Sequence, residues 1–345
     1  MSENLVLFAR SRARGVSIRA LTLAAGLAIA APAMAQETIL VGDFNGQKVV
    51  RFEFPSGSPQ DHFVGPGITA ATNVTQIAFG PDGNLYVPSA SANLVARVNG
   101  QTGFPLGTFV TAASGGLNQP YAAIFGPDGR LYVSSRGGNS VLVYNGSTGA
   151  SIGAFVTTSS GTLTNPEGMA FGPNGNLFVA SYTNDKVLEF NGTTGAFVGE
   201  AITAAQAGLN APRSVIFDAA GRMYVSSQLS NAIIVKDGTT VSVLASFPTI
   251  PGLSQPGQLV LSATGELLVA CTGSNTVQRV NRLTGASLGT AVTAGAGGLS
   301  NTYGIADIPG PVVPCYANCD GSTGAPLLSA ADFVCFLAKF RAGCP

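Results

Sequence analysis

One histidine, His62, stands in 345 residues, and charged side chains make up only 10% of the chain, with Lys+Arg and Asp+Glu equal at 17 each. Beyond residue 35 no stretch concentrates Lys and Arg. Phosphate binding needs such clusters, so nucleic acid is excluded as a partner. The longest apolar run, Ala20 to Ala31, is shorter than the roughly 20 residues that a bilayer crossing requires. That run follows Arg10, Arg12, Arg14 and Arg19 and precedes Ala33-Met-Ala35, the pattern of a secretory signal peptide over residues 1–35. A retained membrane anchor is the less favoured alternative. Removing the segment takes away four Arg and Glu3, leaving 13 basic and 16 acidic side chains and a net charge near −3.

What the chain has in plenty is glycine and a repeat. Phe79-Gly-Pro-Asp-Gly83, Phe125-Gly-Pro-Asp-Gly129, Phe171-Gly-Pro-Asn-Gly175, Phe217-Asp-Ala-Ala-Gly221 and Leu261-Ser-Ala-Thr-Gly265 lie 46, 46, 46 and 44 residues apart. Proline fixes φ and glycine accepts positive φ, so each copy is a turn between two strands. Four strand-like runs fit each period, as in Ala122 to Phe125, Arg130 to Val133, Ser140 to Tyr144 and Ser151 to Val156. A period of this length, with four strands in each, is that of a propeller.

The ends of the array complete each other. Gly304-Ile-Ala-Asp-Ile308 is a first strand whose companions are missing, while Thr38 to Val41, Lys48 to Phe54 and His62 to Val64 are companions without a first strand. Together they make a sixth blade and remove the free sheet edges. The fold expected is therefore all-β, a six-bladed β-propeller over residues 36–309 closed by N- and C-terminal strands. Asn99-Gly100, Asn145-Gly146, Asn191-Gly192 and Asp237-Gly238 read as tight hairpin turns. A Leu-x-x-Pro element at Leu117, Leu163, Leu209 and Leu253 reads as a plug between blades, with its proline where a strand starts and no ladder donor is needed.

The run from Pro120 to Tyr144, and that from Pro166 to Ser181, resembles the NHL repeat, whose unit runs Pro-x-Gly-Ile-Ala-Val-Asp-x-x-Gly-Asn-Ile-Tyr-Val-Ala-Asp. Where that family has Asp after the second strand, this chain has Ser89, Ser135, Ser181, Ser227 and Cys271, and only Asp43 keeps the acid. Six-bladed relatives include metal-dependent lactonases and streptogramin lyases, which hold a divalent ion with converging carboxylates or histidines. Here Glu167 and Asp43 are the only acids at the mouth, two blades apart. His62 falls in an outer strand and reads as a surface or packing residue, and Ser135 and its equivalents lack a usable base. Asn73, Asn145 and Asn191 match the glycosylation acceptor pattern, for which a turn role suffices.

Strand order puts the loops after second strands and before first strands on one face, and the Gly-Pro-Asp-Gly and Asn-Gly turns on the other. The first face, the loop face, carries Asp43, Tyr121, Arg136, Glu167, Tyr182, Arg213, Gln228, Gln258 and Tyr303, whereas the turn face is repetitive. Variety on a repeat scaffold marks a binding face for a protein or carbohydrate ligand. The competing reading makes Glu167 and Arg213 a rim ion pair and the tyrosines a channel lining. On the binding reading the propeller is non-catalytic and requires no cofactor; the alternative is a metal-dependent lactonase or lyase.

After a linker over residues 310–314, four of the five cysteines follow, Cys315, Cys319, Cys335 and Cys344, in a chain expected outside the cytoplasm. Two disulfides are expected, in any of three pairings, with Cys271 left as a buried thiol. Ser329-Ala-Ala-Asp332 is a capping box opening a helix on which Phe333, Phe336, Leu337 and Phe340 share a stripe. Residues 315–345 resemble the GC-type dockerin-like tails of secreted bacterial proteins, which implies a cell-surface or export partner. Asn318, Asp320 and Ser322 have the spacing of calcium-loop ligands, with Asp332 as the closing acid, so a weak calcium site is expected there.

Overall fold

The computed structural model describes residues 37–65, 72–158, 160–246 and 248–308. The expectations for residues 1–36 and 309–345 lie outside the described residues; these are the signal peptide, the linker, Cys315, Cys319, Cys335, Cys344, Asn318, Asp320, Ser322, Asp332 and the tail helix.

The described chain is a ring of six four-stranded antiparallel sheets. In chain order, β1 (Glu37–Asp43), β2 (Lys48–Phe54) and β3 (Pro59–Val64) belong to blade 1. Blade 2 is β4 (Ala78–Phe79), β5 (Leu85–Ser89), β6 (Leu94–Val98) and β7 (Pro105–Val110). Blade 3 is β8 (Pro120–Phe125), β9 (Leu131–Ser135), β10 (Ser140–Tyr144) and β11 (Ser151–Val156). Blade 4 is β12 (Pro166–Phe171), β13 (Leu177–Ser181), β14 (Lys186–Phe190) and β15 (Phe197–Ile202). Blade 5 is β16 (Pro212–Phe217), β17 (Met223–Ser227), β18 (Ala232–Asp237) and β19 (Thr240–Ser246). Blade 6 is β20 (Pro256–Leu261), β21 (Leu267–Cys271), β22 (Thr276–Val280) and β23 (Ser287–Val292). The last strand, β24 (Thr302–Asp307), pairs with β1, so the two ends of the array close blade 1 as the sequence implies.

Apolar packing runs between blades. Leu117 lies buried among Tyr86, Val95 and Val110 of blade 2 and Leu131, Val133 and Leu142 of blade 3, and Leu163, Leu209 and Leu253 hold the matching positions further round. The turn aspartates grip the tyrosine of the following strand: the hydroxyls of Tyr86, Tyr132 and Tyr224 donate to Asp82, Asp128 and Asp218 at 3.1, 2.8 and 3.1 Å.

One local reading is corrected. Asn99, Asn145 and Asn191 do not head two-residue hairpins, because Thr-Gly follows and lengthens the loop. In each, the Asn Oδ1 accepts the backbone N–H groups two and three residues on, and the second glycine, Gly103, Gly149 or Gly195, takes the positive φ. A Cβ at Gly103 would lie 1.8 Å from the Phe63 carbonyl oxygen of the neighbouring blade, so the loop is also a close contact between blades. Only Asp237-Gly238 is the tight turn expected, with Asp237 paired to Thr240 and Gly238 at φ 56°.

Candidate functional site

The residue closing each second strand latches the loop that leads into the first strand of its own blade. Ser135 Oγ accepts the Asn118 N–H at 2.9 Å and donates to the Asn118 carbonyl at 3.2 Å, and Ser181 and Ser227 repeat this at Thr164 and Asn210. Asp43 is the same latch across the ring closure: its buried carboxylate accepts the N–H groups of Gly46, Ser300 and Asn301 at 3.0, 2.9 and 3.0 Å, and the Ser300 hydroxyl at 3.0 Å. The serines are therefore engaged in the fold, and so is the one acid. Cys271 holds the same position in blade 6, buried and free, with its thiol pushed up to about 12 by burial.

An extra residue interrupts the pairing near the start of four first strands and again in the β24–β1 pair: between Pro120 and Ala123, Pro166 and Met169, Pro212 and Ser214, Pro256 and Leu259, and opposite the Gly42–Asp43 step. Such a bulge re-aims a side chain. It carries Tyr121, Glu167, Arg213, Gly257 and Tyr303, which are equivalent positions in successive blades. These residues meet over the axis. Glu167 lies fully buried, its Oε1 3.2 Å from Arg136 Nε and its Oε2 3.5 Å from Arg213 Nη1 and 3.1 Å from the Tyr303 hydroxyl. Arg213 Nη1 also donates to that hydroxyl. Since Tyr303 stands in blade 1 and Glu167 in blade 4, the bond crosses the mouth of the ring.

Around the carboxylate, guanidinium groups and aromatic rings alternate. Arg136 lies 5.1 Å from the Tyr121 ring and 5.3 Å from that of Tyr182, and Arg213 lies 5.2 Å from Tyr182 and 4.9 Å from Tyr303. Tyr121 meets Tyr303 edge-on at 5.8 Å, closing the circuit, and the Tyr182 hydroxyl donates to Gln228 Oε1 at 2.9 Å. Of the site residues read from the sequence, the structure joins Tyr121, Arg136, Glu167, Tyr182, Arg213, Gln228 and Tyr303, and leaves Asp43 apart, three blades from Glu167 and not two as the register implies. Glu167 and Arg213 do form an ion pair, but at the buried centre and not on the rim. Burial pushes the Glu167 carboxyl above the usual range against the pull of Arg213 and Arg136. Burial likewise raises the Tyr303 and Tyr121 hydroxyls, with the Glu167 charge adding to it. Two cations and one anion leave the cluster net positive.

Beneath the bulge the axis is sealed by a second layer. Gln76 Nε2 donates to the Arg213 carbonyl at 2.5 Å, and Gln258 Oε1 accepts the N–H groups of Ile77 and Ile305 at 3.1 and 2.9 Å. Gln258 thus belongs to this seal. Gly168 has no room for a side chain, since a Cβ would lie 2.5 Å from Arg213 O. Two residues further along, at Ala78, Ile124, Ala170, Ile216, Val260 and Ala306, the strands part around a funnel of about 800 Å³ that reaches the turns at Pro127 and Pro173. Its lining is mostly apolar, with Gln76, Ser214 and Gln258 polar, and Asp307 is its one charged residue among the described residues. Sequence reasoning missed this funnel, because its wall repeats the apolar pattern of the core. The available signal was Asp307, which stands where the other blades have Phe79, Phe125, Phe171, Phe217 and Leu261. Among the described residues, no three His, Cys, Asp or Glu side chains group closely enough to hold a metal ion.

No family model and no curated protein matches the sequence. Solved structures are similar in fold. A chain of a nidogen/laminin complex is 17% identical with a TM-score of 0.63, over 79% of this chain and 99% of that one. A protein of unknown function from Bacteroides caccae is 13% identical with a TM-score of 0.59, again over 79% and 99%. A catalytically inactive virginiamycin B lyase from Staphylococcus aureus with quinupristin is 14% identical with a TM-score of 0.54, over 72% and 78%. At such identities the likeness is one of fold.

Proposed function

We propose that the protein is an exported, non-catalytic six-bladed propeller of the NHL type that binds a protein or carbohydrate ligand on its loop face and is sorted or tethered by its dockerin-like tail, residues 315–345. The observation that carries this reading is the circuit of Tyr121, Arg136, Tyr182, Arg213 and Tyr303 around Glu167. On the loop face, general acid–base catalysis would need an acid or base free to exchange a proton, whereas both oxygens of Glu167 and both of Asp43 are bonded within the protein. What the circuit offers outward is a platform. Arg136 keeps 25% of its side chain exposed beside half-buried Tyr182, and Leu229, in the next loop of the same face, is 56% exposed. Aromatic faces and guanidinium groups are the anchors found at the centres of binding interfaces.

The test is a glycan array and a protein capture screen with residues 36–345, followed by titration of the hits. Arg136→Ala and Tyr182→Ala should each weaken binding at least tenfold, while Asp128→Ala on the turn face leaves it unchanged. Equal losses from all three would count against the loop face, and lactone turnover abolished by Glu167→Gln would establish the hydrolase alternative. Deleting residues 315–345 should release the protein from the cell; full retention of the shortened chain would end the tethering part of the reading.

A further inference from the structure

The funnel on the turn face is separate from the loop-face platform and is built differently. It is closed at its inner end by Gln76 and Gln258 and open among the turns, and its volume of about 800 Å³ is within the range of small-molecule sites. Ile124, Phe125, Phe171, Ile216 and Phe217 are only half-buried there, so apolar surface remains in contact with water. A ligand that covers it gains the hydrophobic contribution of that area.

Asp307 breaks the six-fold pattern at the rim. Its Oδ2 accepts the Ala263 N–H at 3.1 Å, and the Glu37 Oε1 accepts the same N–H at 2.9 Å, so two carboxyl groups converge on one donor. Asp307 Oδ1 is buried without a partner. The guanidinium of Arg279 on β22, which feels the charge of Glu37, is engaged by both oxygens of Glu266 at 2.8 Å. No cation of the described chain pairs with Asp307. Burial and the neighbouring Glu37 push its carboxyl up to about 7, as expected for an acid short of a positive neighbour.

We propose that this funnel binds a small hydrophobic amine, its apolar body between the first strands and its ammonium group against Asp307, whose neighbour Glu37 adds negative charge. The apolar wall selects the body, and the Asp307 carboxyl, with no cation paired to it among the described residues, selects the charge. With its carboxyl raised to about 7, Asp307 is part-protonated near neutral pH, and an arriving ammonium displaces that proton into the solvent. The site therefore discriminates an amine from a neutral molecule of the same shape.

Octylamine and 1-octanol provide the comparison, titrated by calorimetry into residues 36–345 at pH 7 in two buffers of different ionisation enthalpy. Octylamine should bind at least tenfold more tightly than octanol, with a buffer-dependent heat that reports proton release. Asp307→Asn should lower octylamine to the affinity of octanol and remove the buffer dependence, while Ala170→Phe, which narrows the funnel, should weaken the binding of both. Unfolding curves of each variant separate loss of binding from loss of fold, and Arg136→Ala should leave octylamine binding unchanged. Equal affinity for amine and alcohol, binding insensitive to Asp307→Asn, or no binding of octylamine at all would each overturn the proposal.

Discussion

The same first strands make two opposite environments within three residues. At the level of Glu167 the strands are bulged and their side chains fill the axis with a bonded ion cluster, whereas at the level of Ala170 the side chains are small and the axis is open. The varied face is the filled one. In a repeat protein, variety at equivalent positions shows where symmetry has been broken, and here one reason for breaking it is internal. Tyr303, Glu167 and Arg213 differ from one another because an acid, a base and a phenol are complementary across a ring. Identical residues there would repel or leave a hole.

That contrast can be broken most directly at Glu167. Glu167→Ala leaves the Arg213 guanidinium buried without its anion and should cost about 3–5 kcal/mol in denaturant unfolding. Three residues along β12, Ala170→Leu extends into open space and should change stability by less than about 1 kcal/mol. Similar losses at both positions would show that the two levels are packed alike. The next effect in size is Gly168→Ala, between the two levels. Its Cβ would stand 2.5 Å from Arg213 O and 2.6 Å from Ser214 Cα, both backbone atoms of blade 5, and a loss of about 1–3 kcal/mol is expected. A neutral result would mean that the strands can part at the seal.

The turn face answers to pH. With its folded value raised to about 7, Asp307 contributes stability that is fully present below the ordinary carboxylate pKa of about 3.9 and is lost as pH rises through 7. Glu37 and the Ala263 N–H face it from β1 and from the turn after β20, with Arg279 beyond them engaged by Glu266. Thermal scans should show a melting temperature falling between about pH 4 and pH 7, and a shallower fall in Asp307→Asn. An unaltered slope would place the titration elsewhere.

How much of this was legible follows from which forces leave a local trace. Turn chemistry does, so the Gly-Pro-Asp-Gly period gave the strand order and the closure through β24 and β1. Loop length was misread at Asn145, since Asn-Gly is a hairpin signal only where no Thr-Gly follows. The loop-face residues were found because they differ between copies, yet their mutual bonding depends on a bulge that no pattern announces. Asp43 was grouped with them as an acid at the mouth, although its position is that of Ser135 and Ser181, where the group is a latch. The funnel leaves no local trace because Ile124 and Ile216 follow the apolar pattern of any first strand, and whether an apolar side chain meets another or meets space is decided by the closed ring.

The smallest effect expected lies at Asp128, in the turn that connects β8 to β9. Burial alone would raise this carboxyl, but the Arg130 N–H at 3.0 Å, the Tyr132 hydroxyl at 2.8 Å and the Arg130 guanidinium outweigh it and hold the carboxyl below its usual range. A group of that kind contributes stability above the ordinary carboxylate pKa and loses it as pH falls through the depressed folded value. Its side chain is 34% exposed, so solvent screening limits the contribution of the ion pair, and Asp128→Asn should cost no more than about 0.5–1 kcal/mol at neutral pH. Once the pH falls below that depressed value the wild-type carboxyl is protonated too, and the two proteins should converge in stability. Ligand binding on the loop face should be untouched, because Asp128 lies at the other end of the strand from Tyr121. A difference between the two proteins that persists into acid would show that the turn depends on the shape of the side chain and not on its charge, and any loss of loop-face binding would show that the two ends of β8 are coupled.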